Sequence, residues 1–355
     1  MIQVPHIYTA VKHRRPLHDL RTLAVWVLVL GTMLGLSSCF KEQNMLPPAD
    51  QDYGQIAVIE MTPTYAEQFY FNLANNAVIK RTPRFSFDIM LDSRAGQYNI
   101  WLNSAKMMGV KRTGLTELDS VTLADTLGGE WHYDFGAFDP DSNAIGQWWN
   151  NGTLPQPVSA GQVYIVQLGV DVNGYGLGFV KMKVNNYSDG AYSITFSDFT
   201  NAPVTKIVNK DDTRNYKYLS FANGGQEIDA EPPKNEWDLC FTRYTVYFYA
   251  PYNIPYEVTG VLHNPSRVQA YLDSTRTFDS ITIADFETNR LLTRRDAIGY
   301  EWKRYSSLNA NGSYSMNPHY TYYIKVNEDE FYKLHFYSFE KDGVRGYPSF
   351  EYYRI

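Results

Sequence analysis

The chain has 355 residues, 44% of them apolar and 15% aromatic, with 29 tyrosines and a formal net charge of −6. That length suggests two domains of ordinary size once any targeting segment is set aside. An acidic chain without a basic cluster argues against nucleic acid as a partner and against docking on anionic lipid, since both need Lys and Arg to neutralise phosphate; neutral, cationic or apolar ligands and protein partners stay open.

At the N-terminus, Lys12, Arg14, Arg15 and Arg21 precede an apolar run over 23–36. The run has 14 residues, too few for a spanning helix, which takes about 20, but enough for the hydrophobic core of a signal peptide. It ends in Leu36-Ser37-Ser38-Cys39, small residues before a cysteine, which resembles a bacterial lipobox. The expectation is a signal peptide over 1–38, a lipid on Cys39 and a polar tether over 39–52. Paired acyl chains anchor stably where one is marginal, which places an outer-membrane lipoprotein either on the cell surface or facing the periplasm. With Cys39 lipidated, Cys240 has no partner for a disulfide; its apolar run Trp237-Asp238-Leu239-Cys240-Phe241 predicts a buried, inert thiol.

The rest of the chain repeats itself. Phe71-Asn72-Leu73-Ala74-Asn75 parallels Leu219-Ser220-Phe221-Ala222-Asn223, and Phe87-Asp88-Ile89 parallels Trp237-Asp238-Leu239. Further on, Asp119-Ser120-Val121-Thr122-Leu123-Ala124-Asp125 parallels Asp279-Ser280-Ile281-Thr282-Ile283-Ala284-Asp285, and Val180-Lys181-Met182 parallels Tyr332-Lys333-Leu334. Several matches in one order predict two copies of a unit, 53–205 and 206–355, with the boundary near 200–209. Within each copy, alternating and aromatic runs read as strands. Asp342-Gly343 and Asn173-Gly174 read as hairpin turns, because those residues tolerate positive φ. The segments 119–127 and 279–286 read as short helical turns. The expected fold is all-β, two tandem sandwiches or open barrels.

The second copy resembles a known family. Tyr218-Leu219-Ser220-Phe221, Asn235-Glu236-Trp237-Asp238-Leu239, Tyr332-Lys333-Leu334-His335-Phe336 and Gly346-Tyr347-Pro348-Ser349-Phe350 look like HmuY, the haemophore-like lipoproteins of Bacteroidetes. The resemblance covers 206–355 well and 53–205 in diluted form. It implies an all-β fold, haem as cofactor, haem or a haem protein as cargo, a role in haem and iron acquisition, and a TonB-dependent outer-membrane receptor as partner. It also implies iron held by two His, or by Met, which are sound iron donors. The residues that could serve are Met316 and His319 in the second copy, and His132 with Met107 or Met108 in the first. No matching pair can be placed ligand for ligand, so a surface lipoprotein for adhesion or for protein or glycan interaction is the competing expectation.

Other aromatics are weighed as packing or contact. Tyr244, Tyr247, Tyr249, Tyr252 and Tyr256 form a Tyr-rich ribbon, Trp148-Trp149 looks exposed, and Trp237 and Trp302 are assigned to core. The sequence has no His-Glu-x-x-His, no Gly-x-Ser-x-Gly and no phosphate-binding loop, so no enzymatic activity is expected.

Overall fold

A computed structural model of the protein describes residues 54–150, 156–307 and 312–355. Cys39, the signal segment and the tether lie outside the described residues. Those residues are all-β: six antiparallel sheets, no closed barrel, and helical content limited to 3-10 turns of three or four residues. No helix among them is long and apolar enough to cross a membrane.

Two sandwiches emerge from the pairing, and neither coincides with a sequence copy. In the inner one, a six-stranded sheet runs Val204–Asn209, Ala191–Ser197, Phe179–Ser188, Val163–Gln167, Gly109–Arg112, His132–Tyr133. It faces a four-stranded sheet of Gln226–Ile228, Tyr216–Ser220, Ile89–Asp92 and Ile100–Leu102. Between them lie Ile89, Leu102, Val110, Tyr164, Met182, Tyr192, Leu219 and other apolar side chains. In the outer one, a five-stranded sheet runs Gln55–Val58, Val344–Arg354, Glu330–Lys341, Thr321–Val326, Val268–Asp273. It faces Ile254–His263, Leu239–Phe248, Glu67–Asn72 and Ala77–Pro83 across a core holding Phe69, Phe71, Phe241, Trp302, Phe336 and Phe350.

The first three strands of each copy are thus seated on the other copy. Glu67–Asn72 pairs with Leu239–Phe248, and Tyr216–Ser220 pairs with Ile89–Asp92. Gln55–Val58 pairs with the last strand of the chain, and Val204–Asn209 with the last strand of the first copy. A boundary at 205/206 therefore does not separate two self-contained domains. One buried acid fastens each exchange. Asp88 accepts the Phe221 N–H at 2.6 Å and is ion-paired to Lys106. Asp238, its counterpart, accepts the Leu73 N–H at 2.8 Å and lies 3.1 Å from the Arg267 guanidinium.

Local devices recur in both sandwiches. The turns Leu123–Thr126 and Ile283–Asp285 each carry a capping box, Thr122 with Asp125 and Thr282 with Asp285, which satisfies end donors that the short turn leaves free. A buried lysine then pins each turn region to its sheet. Lys181 donates to the carbonyls of Leu118 and Val121 at 3.0 and 3.2 Å, and Lys333 to those of Phe278 and Ile281 at 2.9 and 3.0 Å. Both faces of the central strands are thereby covered, which is why Val163–Gln167 reads as a continuous apolar run. At the Asp342-Gly343 turn both residues have positive φ, 54° and 75°, as hairpin twist requires. Asn173-Gly174 sits in the turn between Val163–Gln167 and Phe179–Ser188.

A third apolar cluster joins the sandwiches, with Phe87, Trp101, Phe138, Tyr216, Tyr244 and Leu262 among its members. Two buried acids stand beside it. Asp134 accepts the Leu102 and Ala144 N–H groups at 2.6 and 2.8 Å, and Glu231 accepts those of Asn215 and Tyr216 at 2.7 and 2.8 Å. Burial outweighs these bonds and raises both acids to about 7. Raised carboxyls hold protons that the unfolded chain has already released. Their contribution to stability is full below about pH 4 and lost as pH rises through about 7. Buried His263 is pushed down to about 4 by desolvation and opposes them as pH falls from 6.5 to 4. Urea midpoints measured between pH 4 and 7 are expected to show a smaller loss of stability with rising pH in Asp134→Asn than in the parent. An unchanged slope would refute the assignment of a proton to Asp134.

Candidate functional site

The long hairpin of Leu239–Phe248 and Ile254–His263 has no equal in the inner sandwich, where its counterpart strands hold four and three residues. Its first half is core: Leu239, Phe241 and Val261 are fully buried. Its second half leaves the sandwich and leans on the inner one. Thr245 donates its hydroxyl to the Ser104 carbonyl at 2.6 Å, and the Gly136 N–H donates to the Thr245 carbonyl at 3.2 Å. Tyr244 lies against Gly136, where any Cβ would meet the ring.

The outer sandwich closes a cleft of about 510 Å³ against this hairpin. One wall is Phe248 stacked on Tyr256, with centroids 4.9 Å apart. A second is the short hairpin Lys303–Ser306 with Ser313–Met316, where Tyr305 and Tyr314 lie 5.3 Å apart. Tyr65 closes the third side, parallel to Phe339 and beneath the Arg243 guanidinium at 5.5 Å. The volume falls within the range of small-molecule sites, and the lining combines apolar faces with a few polar groups.

Charge in the cleft runs against the charge of the chain. Glu257 is shared by Arg243, at 2.9 Å, and Arg84, so this cluster keeps one positive charge in excess. Lys303 and Arg345 have no carboxylate partner among the described residues. The Lys303 ammonium donates to the Thr259 carbonyl at 2.5 Å and lies 4.1 Å from the Trp302 ring centroid. Burial alone pushes it down to about 7. Arg345 is exposed and hydrogen-bonded with the Tyr314 hydroxyl. The composition argument for a neutral, cationic or apolar ligand therefore does not transfer to this cleft. Net charge is a sum over the whole surface, whereas two unmatched cations set the local field.

The expected iron ligands are placed elsewhere. Met316 pairs with Lys303 across the short hairpin and packs partly against the outer core. His319 is exposed in the turn that follows. His132 is half-buried opposite Val110, with Nδ1 4.0 Å from Glu130. Met107 occupies a left-handed position, φ 53°, at the end of a 3-10 turn. Met108 corrects its expectation: at 1% exposure it is part of the inner core and offers no sulfur to a ligand. None of the five lines this cleft. Among the described residues no group of three or more His, Cys, Asp or Glu could hold a metal ion.

Trp148 is likewise buried, its indole N–H donating to the Tyr98 carbonyl at 2.8 Å, so the Trp pair is not an exposed platform. Trp237, Trp302 and Cys240 are core as expected, and burial pushes the Cys240 thiol up to about 12. Of the Tyr ribbon only Tyr256 reaches the cleft; Tyr244 is buried, and Tyr249 and Tyr252 are exposed at the hairpin tip. Sequence reasoning missed Tyr65, Tyr300, Lys303, Tyr305, Tyr314 and Arg345, which converge from three distant segments.

No family model matches the chain, and no curated protein matches it. One solved structure similar to it is that of a candidate lipoprotein from Bacteroides fragilis, at 13% identity, covering 48% of this chain and 92% of that one, with a TM-score of 0.21. That degree of likeness is too low to fix either fold or function.

Proposed function

We propose that the protein is a non-enzymatic binding lipoprotein of a bacterial envelope, held at the outer membrane by lipid on Cys39, and that its Tyr-lined cleft receives a flat, ring-bearing anion. The observation that carries this reading is the meeting of aromatic faces with two cations, Lys303 and Arg345, that lack carboxylate partners among the described residues. Rings stack on flat apolar bodies, and charge-assisted bonds orient the acid groups. Haem belongs to this ligand class and is the member that the HmuY resemblance implies, together with delivery to a TonB-dependent receptor. The fit is partial: rings and cations suit the macrocycle and its carboxylates, but the expected His and Met residues lie outside the cleft, so no iron ligand is assigned.

Haemin and a uronic-acid oligosaccharide are the first probes, titrated into the protein at pH 6 and pH 8. Arg345→Ala and Lys303→Met are each expected to weaken binding about 10- to 100-fold, the worth of about 1.5–3 kcal/mol for a charged hydrogen bond. The parent should bind more weakly at pH 8, where Lys303 has lost its proton, and Lys303→Met should lose that dependence. Absence of saturable binding by either probe, or binding indifferent to both substitutions, refutes the cleft.

A second reading rests on the hairpin tip, where Tyr249 and Tyr252 are 76% and 69% exposed. Exposed tyrosines of this kind suit adhesion to a protein or glycan. Loss of cell-surface attachment in a Tyr249→Ser, Tyr252→Ser variant whose haemin binding is intact would favour it.

A further inference from the structure

A second cavity, of about 580 Å³, opens at the joint of the two sandwiches. It shares no lining residue with the Tyr-rich cleft. Its inner-sandwich walls include Trp101, Phe138 and Tyr216, and Arg295 comes from the outer sandwich. Arg295 is 6% exposed. Its backbone N–H donates to the Ala137 carbonyl at 3.2 Å and its Nε–H to the His263 carbonyl at 3.3 Å. The guanidinium carbon lies 4.8 Å from the Phe138 ring centroid and 5.4 Å from that of Tyr216. Neither terminal nitrogen has an acceptor among the described residues, and no carboxylate is within ion-pair distance.

The other two guanidinium groups at this cavity are matched. Arg94 is gripped by Asp92 at 2.8 and 2.6 Å, and Arg294 by Asp296 at 2.6 and 2.9 Å. Asp134 and Asp139, also in its lining, have backbone N–H partners and no cation within ion-pair distance. The Trp101 indole N–H, on a side chain 1% exposed, also lacks an acceptor. A guanidinium this far from solvent, with buried Glu231 felt only from beyond ion-pair distance, is costly to keep, and the Trp101 indole N–H is a sealed donor without an acceptor. Arg295 and the Trp101 ring line one space with flat apolar walls.

We infer that this cavity is a second binding site, for a small planar carboxylate whose acid group takes the Arg295 fork while its ring lies among Trp101, Phe138 and Tyr216. A guanidinium fork matches the two oxygens of a carboxylate, and the volume is that of an ordinary small-molecule site. Because its walls come from both sandwiches, occupancy clamps the joint.

The test is calorimetric titration of the full chain with benzoate, with benzamide and inorganic phosphate run in parallel. Saturable benzoate binding is expected, with benzamide at least tenfold weaker. Arg295→Gln should weaken benzoate at least tenfold. Trp101→Phe, which keeps an aromatic ring but shortens the flat wall and removes the pyrrole N–H, and is the safer variant for folding, should weaken it severalfold. Lys303→Met, in the other cleft, should leave it unchanged, so failure of one site is distinguishable from failure of the other. No benzoate binding at millimolar concentration, equal binding of benzamide, preference for phosphate, or indifference to Trp101→Phe overturns the proposal.

Discussion

A fragment spanning 86–232 is expected to fold cooperatively on its own, whereas the repeat-based fragments 53–205 and 206–355 are expected to fail. The reason is the exchange of strands. The inner core draws every member from Ile89 to Phe221, a continuous stretch of chain. The outer core needs Ile59, Met61, Phe69, Phe71 and Leu73 from the N-terminal strands, packed on Leu239, Phe241 and Phe350. At about 1.5–3 kcal/mol for each large apolar side chain removed from the core, deleting those five costs on the order of 8–15 kcal/mol, as much as the whole stability of a typical domain. Fragment 53–205 fails differently: it lacks Val208, Leu219 and Phe221, and its own first strands have lost Leu239–Phe248. Circular dichroism melts decide the matter. A sharp transition for 53–205 would mean that Glu67–Asn72 can take the seat of Tyr216–Ser220, and the exchange would not be obligatory.

Asp88→Ala should be the most damaging single substitution among the polar residues. The Asp88 carboxylate is buried with the Lys106 ammonium, at 7% and 5% side-chain exposure. It also receives the Phe221 N–H and the Ser220 hydroxyl, at 2.6 and 3.2 Å. Removing it strands a buried cation, which costs about 3–5 kcal/mol. In a chain of this size that lowers the melting temperature by roughly 6–20 °C, at about 2–4 °C per kcal/mol. Lys106→Met in the Asp88→Ala background should recover part of the loss, because it removes the stranded charge rather than a packing contact. Asp238→Ala is expected to behave alike through Arg267 and the Leu73 N–H. A melting temperature within 2 °C of the parent for Asp88→Ala, or no recovery in the double variant, would refute the ion-pair account.

The fold class was legible because its signals are local. Aromatic and branched residues in short runs, Asp-Gly at a hairpin and the short helical turns near 119–127 and 279–286 act within a few residues, and the structure uses each of them as read. The buried Trp237 and Cys240 followed from the run they share, and Trp302 is core as expected. Partner choice was not legible. Repetition tells which segments resemble one another, and Glu67–Asn72 and Tyr216–Ser220 satisfy the same pattern on either sheet. The Tyr-rich cleft escaped for a related reason, since Tyr65, Tyr256, Lys303 and Arg345 meet only after the exchange has placed the first strands beside the last. Trp148 looked exposed because its neighbours are polar, yet a single carbonyl, that of Tyr98, lets the indole be buried.

The exchange also sets a timetable. On the export route proposed above, a chain threaded through a membrane pore delivers Leu73 well before Asp238, its partner 165 residues downstream, and the Leu73 carbonyl waits still longer for the Tyr352 hydroxyl, 279 residues on. Closing loops of that length is slow compared with forming neighbouring hairpins. The leading aromatic hairpin is therefore the earliest segment to arrive and among the latest to be sheltered. During that interval a holdase chaperone in the compartment beyond the pore would find Phe69 and Phe71 unprotected.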